Sequence, residues 1–173
     1  MLTAERVCYM RLKPEELAFF IECVKPMLEY EPVKQMGDFV QHGNTSCLRH
    51  SLAVAFYSYC LCRKLRIKCD EVSMIRGAML HDFFLYDWHI PDPSRRWHGF
   101  SHPKTALANA EKHFSLCDKE REVIVRHMWP LTLRIPRCRE ALLVCLVDKV
   151  CSAAEVLEFC PGYRFYTSLP VAD

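Results

Sequence analysis

The sequence predicts an all-α fold, a compact single-domain helical bundle. Three observations carry that expectation. Hydrophobic residues make up 51% of the 173 positions, which supplies enough apolar surface for a buried core. Only 5 glycines occur, too few for a chain built from many tight turns. Apolar residues recur at helical spacing, and no segment shows the apolar–polar alternation of a half-buried strand.

Pro14-Glu15-Glu16-Leu17 opens a first helix running to about Tyr30, with proline early and two acids at the positive end of the dipole. Pro26 predicts a kink or break in it, and Pro32 its end. The polar stretch Gln41 to Ser46 leads into a long apolar helix from about Cys47 to Leu65. Asp70 is an N-cap for the next, which carries Ala78-Met79-Leu80-His81-Asp82. From Phe83 to Ser101 the period is lost, and Pro91, Pro93 and Gly99 mark a long functional loop. Ser101-His102-Pro103 starts a fourth helix to about Phe114, and Asp118 caps a fifth that Pro130 stops after His127. Arg137 to about Cys160 holds one or two more helices. The whole chain, 1–173, reads as one domain: a helical extension over 1–43, a motif-bearing core over about 44–158, and an irregular tail over 161–173.

Charge and cysteine usage exclude several classes. Lys and Arg total 23 against 21 Asp and Glu, a net charge of +2, which does not suit a chain that coats long nucleic acid or an anionic membrane. No window of about eighteen residues is apolar and uncharged, so no transmembrane span is expected. Glu5, Arg6 and Arg11 interrupt any signal-peptide core, and a cytoplasmic location is expected. The 11 cysteines lie largely in apolar helical runs and read as buried thiols of a reducing compartment. Cys60 and Cys62, about 200° apart on a helix, cannot chelate one ion together.

Asp148 then stands out. It interrupts the apolar run Ala141 to Val150, where a carboxylate costs several kcal/mol unless a cation or good donors meet it. Lys149 is its neighbour, but adjacent residues on a helix do not face each other. Four histidines upstream lie inward or at helix ends: His50, His81 (paired with Asp82), His102 and His127. Any one alone is read equally well as a hydrogen-bonded core residue or a cap. Together, spread over several helices, they are what a metal site in a bundle core requires. Imidazole plus carboxylate suits Fe, Mn, Zn or Ni better than Mg alone.

The ordered set His50, His81-Asp82, His102, His127, Asp148 resembles the signature of the HD-domain superfamily in its expanded, binuclear form. The segments Thr45 to Leu52 and Gly77 to Asp82 resemble ordinary members as well, and the likeness covers roughly residues 44–158. The resemblance implies two divalent or transition metal ions, Fe or Mn first, with Zn, Ni or Mg as alternatives. His50, His81, Asp82 and Asp148 would hold one; Asp82 would bridge to a second held by His102 and His127. A metal-bridging hydroxide would then attack a small phosphoester, with a nucleotide or dinucleotide favoured as substrate.

Candidate phosphate contacts are Lys104 in the first turn of the fourth helix, Lys149, and Arg95, Arg96 and His98 in the long loop. Asp82, Lys104 and Lys149 are the candidate catalytic residues. Arg126 reads as a surface charge, and Trp88, Trp97 and Trp129 as packing groups that could also stack a base. Phe83-Phe84-Leu85-Tyr86-Asp87-Trp88 after the His-Asp pair lacks Gly-Tyr-Pro, which weighs against a cyclic dinucleotide. The same ligands would serve a mixed-valence di-iron oxygenase of this superfamily, and a non-catalytic ligand-binding domain is the third reading. An oligomer is compatible with all three.

Overall fold

The computed structural model of the chain describes residues 12–90 and 97–157. Seven α-helices lie among them: α1 (Pro14–Leu28), α2 (Glu31–Lys34), α3 (Cys47–Leu65), α4 (Glu71–Leu80), α5 (His98–His113), α6 (Asp118–Arg126) and α7 (Arg139–Val156). The expected all-α single domain is what the chain forms. None of these helices is long and apolar enough to cross a membrane, and no disulfide joins the described cysteines.

The core is organised around α4. Its ten residues include seven that are buried, and it packs against α1, α3, α5, α6 and α7. Gly77 allows a close approach to α6. A Cβ added there would stand 2.8 Å from the Cβ of Val123, so α4 and α6 meet closer than any larger residue allows. Phe20 of α1 packs edge-on against Phe56 and stacks on Tyr59 of α3, with Val24 and Met27 buried behind it. The described part of the extension, residues 12–43, therefore contributes to the same core, each such side chain adding roughly 1.5–3 kcal/mol of burial.

Helix ends follow local chemistry. Ser46 Oγ accepts from the Arg49 amide at 3.4 Å to start α3, and Asp70 Oδ1 accepts from Ser73 at 3.0 Å to start α4. Arg66, in the left-handed region at φ 53°, ends α3. Pro26 lies two residues before the end of α1, where its missing N–H breaks only one bond, so the helix runs through it to Leu28. Pro32 opens the short α2 rather than stopping a helix, as proline can in a first turn. Asp118 is the first residue of α6, not its cap; Cys117 occupies that place, and Glu120 accepts from its amide at 2.8 Å.

Two further differences bear on function. Residues 40–46 form a small antiparallel hairpin, β1 (Val40–His42) with β2 (Thr45–Ser46), where no strand is expected. Three residues against two are too few to show a period. Gly43 turns the hairpin at φ +54°, and a Cβ there would come 3.1 Å from the Glu155 carbonyl, so the hairpin rests on α7. Helix α5 starts at His98, three residues before the expected Ser101, with Pro103 inside it. The Trp97 carbonyl closes that extra turn, accepting the amides of Phe100 at 2.9 Å and Ser101 at 3.0 Å and the Ser101 hydroxyl at 3.0 Å. The long irregular segment after α4 opens inside the core: Phe83 and Phe84 are buried, and Asn109 of α5 donates to both of their carbonyls.

Candidate metal centre

Five elements deliver six ligand-type side chains to one buried point. His50 is the fourth residue of α3, so its ring faces the core one turn below the Ser46 cap. His81 and His127 occupy equivalent places, each the residue that ends a helix, α4 and α6 respectively. At a helix end the last carbonyls lack partners, and each histidine meets one: His81 Nδ1 donates to the Ala78 carbonyl at 2.6 Å, and His127 Nδ1 to Ile124 at 2.8 Å. His102 Nδ1 likewise donates to the His98 carbonyl at 2.9 Å. A carbonyl only accepts, so Nδ1 of each ring is the donor there, and Nε2 is the atom whose lone pair a metal would take.

Those lone pairs converge on Asp82, which is 2% exposed. Its two oxygens divide the histidines between them. Oδ2 lies 3.3 Å from His81 Nε2 and 3.7 Å from His50 Nε2. Oδ1 lies 3.2 Å from His102 Nε2 and 3.5 Å from His127 Nε2. Asp148 Oδ1 closes the first side, 3.0 Å from His50 Nε2 and 3.7 Å from His81 Nε2. On the second side, His102 Nε2 and His127 Nε2 stand 2.8 Å apart. Two bare nitrogens repel at that distance unless a positive charge serves both.

The residues fit a metal on three observations. Buried His81 Nε2 and Asp82 Oδ1 have no hydrogen-bond partner, an unusual cost for polar atoms inside a protein. Single ligand atoms of His50, His81 and Asp148 lie within 4.8 Å of one another, and so do those of His81, Asp82 and His127. The donor set is imidazole and carboxylate, suited to a transition ion. These buried His and Asp groups can hold a metal.

The electrostatics ask for positive charge. Burial disfavours the charged form of His50, but its hydrogen bonds to Asp148 and Glu155 outweigh that and raise its pKa to about 9. Burial likewise opposes charge on His81, and the Asp82 and Asp148 carboxylates raise it to about 10. Burial and the neighbouring His81 push His127 down to about 3. Asp82 and Asp148 are held well below the usual carboxylate range: burial works against this, but His81 and, for Asp148, His50 win.

Four supporting residues are not evident from sequence. Glu155, with its side chain fully buried, places both carboxylate oxygens 3.0 Å from His50 Nδ1 and so fixes that ring. It lies seven residues after Asp148 on α7, a spacing that puts both on one face and is the signal available for it. Gln41 in β1 donates to Asp82 Oδ2 at 2.6 Å while its Oε1 accepts from Cys47 at 3.3 Å. Its clue is an inverted pattern, polar Gln41 buried beside exposed Val40. Ser152 donates to Asp148 Oδ1 at 3.3 Å, and the His42 ring packs edge-on to His50 at 5.5 Å.

The candidate substrate contacts fare differently. Lys149 Nζ donates to Asp148 Oδ2 at 2.7 Å and to the His127 carbonyl at 2.8 Å, with its side chain 38% exposed. His98 is not in a loop but is the first residue of α5. Its Nδ1 meets the Tyr86 hydroxyl at 2.9 Å, its ring lies between Trp88 and His102, and burial lowers its pKa to about 4. Lys104 does not occupy the first turn of α5: counted from His98 it is the seventh residue. It is exposed, about 200° around the helix from buried His102, and the first-turn amides belong to residues 98–101. Arg95 and Arg96 lie outside the described residues. Arg126 is not the solvated surface charge expected: its side chain is only 15% exposed, pairs with Glu122 at 2.7 Å and donates from Nη1 to the Ile135 carbonyl at 3.0 Å. Compared with known proteins, the chain finds no counterpart: no family model, curated protein or solved structure matches it.

Proposed function

We propose that this chain is a metal-dependent phosphohydrolase of the HD-domain type, acting on a nucleotide, dinucleotide or related small phosphoester. One observation carries the reading: each oxygen of Asp82 faces a different pair of histidine Nε2 atoms. A carboxylate so divided is suited to lie between two cations, with His50, His81 and Asp148 holding one and His102 and His127 the other. When bound, such ions lower the pKa of a water and polarise a phosphoryl oxygen.

The chain's own groups do the rest. Glu155 and three backbone carbonyls lock the imidazoles in the orientation that presents Nε2. Gln41 holds Asp82 Oδ2 with a short donor bond and keeps the carboxylate from swinging. Burial of every ligand excludes bulk water and strengthens each electrostatic contact. Lys149, bonded to the ligand Asp148 yet partly in solvent, is the cation placed to meet an incoming phosphate. Its ammonium offsets charge on the substrate without leaving Asp148.

The test begins with elemental analysis of protein purified without oxygen, followed by a screen of nucleotides, dinucleotides and phosphomonoesters. Two metal equivalents per chain and release of phosphate or a nucleotide are expected. Protein that binds no metal above trace sinks the reading. Strict iron dependence with oxygen consumed and no phosphoester cleaved would replace it by the di-iron oxygenase.

A further inference from the structure

At the far end of α3 a second pair of side chains is held in contact. Cys62 Sγ and Cys69 Sγ lie 3.0 Å apart. A bonded pair stands at about 2.05 Å, so roughly 1 Å of approach by side-chain rotation joins them. The turn between them sets this up. Arg66 reverses the chain at φ 53°, and the Ile67 amide donates back to the Cys62 carbonyl at 3.0 Å. Cys62 Sγ in turn donates to the Ile67 carbonyl at 3.2 Å, which ties the thiol to the same turn. Cys69 then immediately precedes Asp70, the cap of α4.

We propose that Cys62 and Cys69 are a modification site, oxidised to an intramolecular disulfide by a small anionic disulfide of the glutathione type. Both cysteines are among the residues that line a surface cavity of about 730 Å³, together with Arg63, Lys64, Arg66 and Lys68. Arg63 pairs with Glu16 at 2.9 Å and Glu71 at 3.0 Å; with Lys13 the lining sets five cations against these two acids, and the excess attracts an anion. Cys69 is half-buried and is the entry point, while Cys62 is 1% exposed and resolves.

The step balances in two exchanges. Cys69 loses its proton to solvent and attacks one sulfur of the reagent, forming a mixed disulfide and releasing one small thiolate, which takes up a proton. Cys62, deprotonated in its turn, attacks the Cys69 sulfur and expels the second small thiol. Two protein thiols lose two electrons, and one reagent disulfide gains them. Burial raises the pKa of both thiols, so the reaction is slow near neutrality and quickens as pH rises. The product ties the end of α3 to the start of α4 without touching the metal centre.

Native protein treated at pH 8 with oxidised glutathione, quenched, alkylated and digested with trypsin without reductant tests this. Trypsin cuts after Arg63, Lys64, Arg66 and Lys68, so Cys62 and Cys69 fall in different peptides; the first also carries Cys60, and fragmentation of the joined pair shows which of its two cysteines is bonded. The joined pair should appear, vanish on reduction, and bring a rise in Tm of about 5 °C. In Cys62→Ser the Cys69 thiol should stop at the mixed disulfide with glutathione. Recovery of both thiols alkylated, a stable glutathione adduct on wild-type Cys69, or a bond from Cys69 to Cys60 or any other cysteine would overturn the assignment.

Discussion

Asp82 has no single partner that accounts for it. Gln41 bonds one oxygen, while the other has only lone-pair nitrogens nearby and no donor at all. Replacing it removes the one group that touches both histidine pairs, so Asp82→Ala should lose both metal equivalents, measured by elemental analysis; retention of either would refute the shared carboxylate. Glu155 acts one step out, through His50. Glu155→Gln keeps a hydrogen-bond acceptor but removes the charge, and metal affinity in a competition titration should fall about 10–100-fold with helical content unchanged. Unchanged affinity would leave Glu155 a core residue only. Asp148 was legible in sequence because seven apolar neighbours made its charge conspicuous. Glu155 was not, because Ser152 and Ala153-Ala154 dilute the apolar run around it. Gln41 was hidden further, since its burial depends on a hairpin held by tertiary contacts, with α7 at Gly43 and with Asp82 and Cys47 at Gln41 itself.

At the scale of the element, the centre depends on where helices stop. His81 and His127 both close their helices by bonding an otherwise unpartnered carbonyl, so their ring positions are set by α4 and α6 docking correctly. Gly77 permits that docking. In Gly77→Ala the new Cβ meets Val123 Cβ at 2.8 Å, an atom fixed to the backbone that cannot swing away. Overpacking of this kind costs about 1–3 kcal/mol, against about 1 kcal/mol gained in helix propensity. A net loss of about 1 kcal/mol, the middle of the range that those two figures leave, is expected in urea denaturation, and metal affinity should weaken with it as His81 and His127 shift. Stability at or above wild type would show that α4 and α6 can separate freely. Most helices were legible from caps and period. The start of α5 was not, because Pro103 reads as a first-turn residue. The bonds that carry the helix back to His98 come from Ser101 and the Trp97 carbonyl, a local closure that the stacking of His98 on Trp88 supports.

For the whole molecule, the centre places three carboxylates, those of Asp82, Asp148 and Glu155, in the interior of a chain whose net charge is only +2. Stability must therefore depend on what supplies the opposing charge. With chelator present, protons on His50 and His81 do so. Their folded pKa values, about 9 and about 10, exceed the ordinary imidazole value of about 6.5. Their contribution is thus complete below about pH 6.5, declines above it, and is gone once pH passes about 10. His127 runs the other way: its pKa is lowered to about 3, so the stability of its neutral form is lost as pH falls below about 6.5. Asp82 and Asp148, also lowered, withdraw theirs in acid as they protonate. Chelated protein should accordingly be most stable near pH 6 to 7 and lose Tm on both sides. A bound cation replaces the protons of His50 and His81, so its affinity must climb over the interval in which they leave. The gap in Tm between manganese- or iron-loaded and chelated protein should therefore widen steadily from about pH 6.5 to about 10. A gap that stays constant across that interval would mean that metal does not compete with protons at His50 and His81, and that any binding lies elsewhere.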